Sequence, residues 1–357
     1  MRQNNALTQP GSANRTPDRR SNGGLIASRW HRLIQSQIIG ILSILLILCL
    51  VLWITCPTTF PTTDNLFSVA RQFSYIAVAA IGELMVIITG GIDLSVGSIM
   101  GFGAVLTGFL MHNLNYPIPL AIGFGIIGGA ILGLFNSFCI TKMNLPPFIA
   151  TLGTMSIGRG LAYAITEGYT VPVPPLFARL GQGYLGPIPY PVIDMIVIAI
   201  IFAIFLGRTV LGRRIYALGG NEEAAKVSGI NVSRLKVFVY MFAGILAAMG
   251  GIICAARLGV AQSTLALGYE LDVIAAVFIG GASTTGGSGT VLGTILGAAI
   301  MGIIRNGLVL LNVSPYWVQT AIGTVIIIAV AFDRFRLVYQ EKKQLREVIV
   351  RENTSEV

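Results

Sequence analysis

The residues able to do chemistry in this chain are few and sit in apolar surroundings. Glu83, Arg159 and Arg305 each interrupt a long hydrophobic run. A charge at bilayer depth costs about 2.5–3.5 kcal/mol on insertion scales, so such a group marks either a polar pathway or an ion pair that holds helices together. Both readings stand for these three, and Asn306 beside Arg305 makes that pair the leading candidate for a pathway lining. Asp194, Glu270 and Asp272 are also ionisable, but they fall near the outer ends of their runs, where interfacial hydration accounts for them. A second kind of site is VIITGGIDLSVGSIMG at 86–101, where Gly90, Gly91, Asp93 and Ser95 break an apolar run at membrane depth. Asp93 can N-cap the helix that follows, with Ser95 supporting the turn. Alternatively the break lines a transport path, because irregular backbone in a membrane is tolerated only inside protein or along a water cavity.

Enzymatic chemistry is not expected. The two histidines, His31 and His112, belong to no Ser/His/Asp arrangement. LSVGS at 94–98 has a faint likeness to the signature loop of ATP-binding cassettes, but no G-x-x-x-x-G-K-[ST] accompanies it, so the chain carries no phosphate-cradling P-loop. Cys49, Cys56, Cys139 and Cys254 are scattered, without the spacing of zinc ligands or of a disulfide framework. Neither a catalytic residue, nor a metal site, nor a cofactor held by this chain is predicted.

One polar island stands out: GRTVLGRRIYALGGNEEAAKVSGINVSRLK at 207–236. Asn221 suits an N-cap, Glu222 and Glu223 fill the first turn that the helix dipole favours for carboxylates, Ala224 and Ala225 are strong helix formers, and Gly229 suits the C′ position. The spacing predicts one short capped helix, with a Glu222–Lys226 pair in the favoured order. Arg213, Arg214, Arg234 and Lys236 flank it and place the loop in the cytosol. Such a helix, fixed at both ends by spans, either docks to a partner that can push it or simply closes a loop.

The elements that must position these residues follow from composition. With 357 residues, 54% hydrophobic and 11% charged, and a mean hydropathy of +0.78, polar residues are too few to cover a water-soluble globule. The net charge of +9 gathers in the N-terminal tail, the island and the C-terminal tail, which marks membrane orientation rather than nucleic-acid binding. Runs long enough to cross hydrocarbon fall at 33–55, 72–89, 95–111, 117–140, 148–165, 191–206, 237–257, 271–281 (short), 291–311 and 316–332. The expected fold is therefore an all-α integral membrane protein of about ten transmembrane helices with cytosolic N- and C-termini. Residues 1–32 read as a disordered cytosolic tail, 33–334 as the transmembrane domain and 335–357 as a charged cytosolic tail. The Pro-rich stretch 168–191 reads as an external loop facing a partner or substrate. Glycines four apart (Gly125, Gly129, Gly133; Gly97, Gly101; Gly293, Gly297) predict closely packed spans. A second interrupted stretch, IGGASTTGGSGT at 279–290, has a short likeness to the first and suggests an internal duplication.

Five motifs in order, GGIDLSVGS (90–98), FIATLGTM (148–155), YALGGNEEAAKVSGI (216–230), YELDVIAAVFIGG (269–281) and IIIAVAFDR (326–334), together resemble the permease subunits of bacterial ABC sugar importers, the ribose, xylose and arabinose group nearest. The likeness covers about 65–334. It implies a type II importer-like bundle in the bacterial inner membrane, a second permease copy, two cytosolic ATP-binding cassette subunits that bind the ATP and Mg, and an extracytoplasmic sugar-binding protein. It also implies that Asn221, Glu222, Glu223, Ala224, Ala225 and Gly229 form the coupling helix seated in the ATPase. Glu83 and Arg305 depart from the less charged residues expected there, which bears on the substrate more than on the mechanism. Permeases for nucleosides or branched-chain amino acids, and a carrier that works alone, are the alternatives.

Overall fold

In lipid an apolar run satisfies its own backbone only as a helix, and proline in the first turn, where its missing N–H costs nothing, starts several of them. The computed structural model describes residues 21–314, 316–324, 327–328 and 331, with side chains described from residue 38. The order is α1 (Ser21–Thr55), α2 (Thr63–Ile88), α3 (Val96–His112), α4 (Ile118–Thr141), α5 (Pro147–Thr166), β1 (Val171–Pro172), α6 (Pro175–Gln182), β2 (Tyr184–Leu185), β3 (Ile188–Pro189), α7 (Tyr190–Arg208), α8 (Val210–Gly220), α9 (Glu222–Val227), α10 (Val232–Leu258), β4 (Val260–Ala261), α11 (Tyr269–Ile279) and α12 (Val291–Leu310).

Among the described residues, seven helices are long and apolar enough to span a membrane: α1 from Ile38, α2, α4, α5, α7, α10 and α12. These seven are among the ten runs expected from the sequence. Helix α3 has 17 residues and α11 only 11, about 25 and 16 Å at 1.5 Å per residue. The tenth run lies partly outside the described residues, with 316–324 helical. Helix α1 begins at Ser21, ahead of the first apolar run. Residues 1–20 and the tail at 335–357 lie outside the described residues.

Helix α2 is buried on all sides from Ser74 to Ile88, and α10 packs against α2, α3, α4 and α6. The glycine stripe of α4 makes this possible. Gly125 faces the carbonyl of Gly103, Gly129 that of Gly244 and Gly133 that of Tyr240, so a Cβ at any of them would press on backbone. Gly293 and Gly297 bring α12 onto α11 in the same way. Gly97 and Gly101 instead face the loop carbonyls of Ala266 and Leu265, with Glu270 at the start of α11 and Arg159 of α5 beside them. Ile47, Trp53 and Ile54 of α1 and Ile200, Ile201 and Ile204 of α7 stay exposed, as suits lipid-facing surfaces.

The Pro-rich stretch 168–191 is anchored. β1 pairs antiparallel with β4 (Val171 with Ala261), β2 and β3 form a hairpin, and Gly181 of α6 lies against the backbone of Arg257. The first interrupted stretch is a turn between helices rather than a break within a span, because α2 with 26 residues is already about 39 Å long; the second joins α11 to α12. The two use the same C-terminal device. Gly90 (φ +80) donates to Ile87 O and Gly91 to Val86 O; Gly281 (φ +85) donates to Phe278 O and Ala282 to Val277 O. This is a Schellman end with glycine in the left-handed position.

Candidate functional site

The island folds as two helices. Thr209 caps α8, its Oγ1 accepting from Gly212 N–H. Asn221 caps α9, its Oδ1 accepting from Ala224 N–H at 2.9 Å. Gly229 closes α9 with φ +81, and Ile230 N–H returns to Ala225 O. Lys226 Nζ lies 2.9 Å from Glu223 and 3.4 Å from Glu222, while Lys236 Nζ lies 2.9 Å from Glu222 and ties α9 to α10. The hydrogen bond from Lys236, helped by Lys226, holds the Glu222 carboxyl below the usual carboxylate range. Ala225 faces inward, whereas Glu223, Ala224 and Val227 face out, Val227 at 89% exposure. That outer face is small, apolar at one point and acidic beside it, a shape that a groove in another protein can hold.

The other leg of the island reaches the two turns, a convergence the sequence does not announce. Gly219 sits against the Ile88 carbonyl so closely that no Cβ would fit. The same carbonyl accepts from Gly287 N–H at 2.9 Å, and a Cβ on Gly287 would lie 3.1 Å from the Cα of Gly220. Tyr216 donates its hydroxyl to Gly289 O at 2.8 Å. The α2–α3 turn, the α11–α12 turn and the island therefore meet at one end of the bundle.

Just inside that end lies a buried polar cluster. Asp93 is not the N-cap of α3, as the sequence suggested; Ser95 is, and its side chain makes no capping bond. Asp93 Oδ1 instead accepts from the N–H of Ser95 at 2.8 Å and from its hydroxyl at 2.5 Å, an Asx turn that precedes the helix. Asn136 Nδ2 donates to Ser95 Oγ at 2.8 Å, and Glu83 Oε1 accepts from Asp93 N–H at 3.0 Å. Asn136 and Tyr240, both buried, were missed as site residues; a lone polar residue in an apolar run was the available signal.

The three charged candidates do not pair with one another. Arg159 spends its guanidinium on backbone, donating to Ser263 O at 2.6 Å, Leu265 O at 2.8 Å and Gly97 O at 3.4 Å. It thereby fixes the loop before α11. Arg305 pairs with Asp272 at 2.5 Å, so the interfacial reading of Asp272 is corrected: it is fully buried and carries the counter-charge. Arg305 also lies 5.0 Å over the ring of Tyr269, which stacks on Tyr75 at 6.1 Å, and Arg257 lies 5.9 Å over Tyr75. Asn306 is not part of that ladder; it exchanges amide hydrogen bonds with Asn65 of α2 at 2.7 and 3.2 Å. Asp194 lines an apolar cavity of about 350 Å³ between α4, α6, α7 and α10. Among the described residues no group of three His, Cys, Asp or Glu side chains is placed to hold a metal.

Comparison with known proteins places this architecture. Residues 65–330 match the family described as branched-chain amino acid transport system / permease component. Ribose import permease protein RbsC of Haemophilus influenzae is 41% identical over 282 residues, 77% of this chain and 87% of the relative. RbsC of Bacillus subtilis is 43% identical over 76% of this chain and 84% of the relative. Galactose/methyl galactoside import permease protein MglC of Haemophilus influenzae is 38% identical over 80% and 90%. No solved structure matches significantly. The seven spans and these relatives make the chain a multi-pass protein of the inner membrane. A family match that runs through α2 to α12, and relatives covered along most of their own length, identify this protein as a member of the branched-chain amino acid transport system / permease component family, to which permease subunits of ABC importers belong.

Proposed function

We propose that this chain is the membrane subunit of an ATP-driven importer of a monosaccharide, pentose or hexose, supplied by an extracytoplasmic sugar-binding protein. Two copies form the translocation pathway, and separate cytosolic ATPase subunits, which bind the ATP and Mg, provide the energy. The observation that carries this reading is the island: α9 is capped at both ends, pinned to α10 through Glu222 and Lys236, and exposed on its outer face. Its α8 leg touches both turns at the same end of the bundle. An exposed capped helix, joined through α8 to both turns, suits the transfer of a push from an ATPase groove to the spans. Asn221, Glu222, Glu223, Ala224, Ala225 and Gly229 are its coupling residues on this reading. The names of the relatives support a sugar, whereas the family description keeps a branched-chain amino acid in view.

The test is reconstitution in liposomes with ATPase and binding protein. Uptake is expected only with all components present and with a pentose or hexose; uptake of leucine instead would select the amino-acid reading, and uptake by the chain alone would select a self-sufficient carrier. Glu222→Lys with Glu223→Lys removes the acidic edge of α9 and its tie to Lys236. That variant is expected to insert normally yet lose at least about tenfold in both uptake and binding-protein-stimulated ATP turnover, a loss of roughly 1.4 kcal/mol in coupling. Unimpaired uptake would remove α9 from the coupling route.

A further inference from the structure

Glu83, Asp93, Ser95, Asn136 and Tyr240 come together where α2, the turn before α3, α4 and α10 meet, and none is more than 1% exposed. The two carboxyls are supplied unequally. Asp93 accepts from the Ser95 N–H and hydroxyl, with Asn136 Nδ2 at 3.4 and 3.5 Å. Glu83 accepts from a single N–H, that of Asp93. Among the described residues no Lys, Arg or His pairs with either. The titratable groups facing Glu83 are Asp93 ahead of α3 and Tyr240 on α10; α4 offers the uncharged Asn136. Three buried oxygens of the cluster have no partner: Glu83 Oε2, Asn136 Oδ1 and Tyr240 Oη. The tyrosine oxygen lies at the turn itself, 2.5 Å from where a Cβ on Gly91 would be.

Two adjacent carboxylates without a cation cannot both stay charged in a buried site, since each uncompensated charge costs several kcal/mol. We propose that the cluster is a proton-binding site, in which Glu83 carries the proton on Oε2 and Asp93 remains the anion. The donors decide the assignment: Asp93 has the hydrogen bonds an anion requires, and Glu83 does not. Oε2 has no donor beside it, so a proton there costs no hydrogen bond, whereas a negative charge there would go unsatisfied. The site then bears one charge, held by the turn whose Ile88 end rests on α8.

Infrared spectroscopy of the full chain in lipid nanodiscs tests this directly. At neutral pH the wild type is expected to show a protonated-carboxyl C=O stretch, shifted by D2O, that is missing from Glu83→Gln. Glutamine keeps an oxygen for the Asp93 N–H and is neutral like a protonated carboxyl, so Glu83→Gln is expected to melt close to the wild type while Glu83→Ala melts lower. A spectrum unchanged by Glu83→Gln overturns the assignment. So does a Glu83→Gln variant as unstable as Glu83→Ala, which would mean that the fold uses the carboxylate. Thermal stabilisation by sodium over potassium that Glu83→Gln abolishes would make the ligand a metal ion, and the proposal would fall.

Discussion

At the scale of single residues, the sequence shows which side chains are anomalous but not what they touch. Glu83, Arg159 and Arg305 are legible because charge in an apolar run is rare. Their partners are not, because they come from elements distant in the chain: Asp272 for Arg305, and backbone carbonyls of residues 263 and 265 for Arg159. The Arg305–Asp272 pair illustrates the consequence. Asp272 is fully buried and Arg305 partly buried, so removing Arg305 strands a buried charge, which costs about 3–5 kcal/mol, whereas replacing both with apolar residues of similar size is often near neutral. Arg305→Met is therefore expected to lower the melting temperature of the purified protein markedly, and Asp272→Leu added to it to restore most of the loss. Equal melting of Arg305→Met and the wild type would mean that the pair holds nothing together and would return Arg305 to the pathway reading.

At the scale of elements, periodicity and glycine spacing carried further. The α4 stripe, the capped α9 with Asn221 and Gly229, and the two interrupted stretches were all legible, since each depends on local backbone rules. The short length of α11 and the place of Asp93 were not. Hydropathy measures the length of an apolar run, while α11 is set by the polar loop before it, which Arg159 anchors, and Asp93 was misplaced as a cap because an Asx turn two residues earlier has the same sequence signal. The stripe permits a controlled test within one helix. At Gly133 an added Cβ would press on the Tyr240 carbonyl, whereas at Gly123 nothing lies within 4 Å. Gly133→Ala is expected to cost about 1–3 kcal/mol by overpacking; Gly123→Ala is expected to be neutral or to gain up to about 1 kcal/mol of helix propensity. Chemical or thermal unfolding in detergent measures both, and equal effects would mean that α4 and α10 are not in close backbone contact.

At the scale of the whole molecule, the question is how motion of the island reaches the spans. Close-packed interiors transmit displacement rather than absorb it, and the contact between α8 and the two turns has almost no slack: Gly219 lies on the Ile88 carbonyl, Gly287 donates to the same carbonyl, and Tyr216 reaches Gly289. Gly219→Ala would place a methyl group on that carbonyl and push α8 off both turns, while leaving the Asn221 and Gly229 caps of α9 in place. Gly220, the next residue, has nothing within 4 Å of an added Cβ and serves as its control. If the island acts as a lever, Gly219→Ala should still bind the ATPase subunits, since α9 is intact, yet lose most of its uptake, and Gly220→Ala should retain both. Co-purification reads the first property and liposome uptake the second. A Gly219→Ala protein that transports normally would show that force enters the spans by another route, with the covalent joints of α8 to α7 and of α9 to α10 the remaining connections.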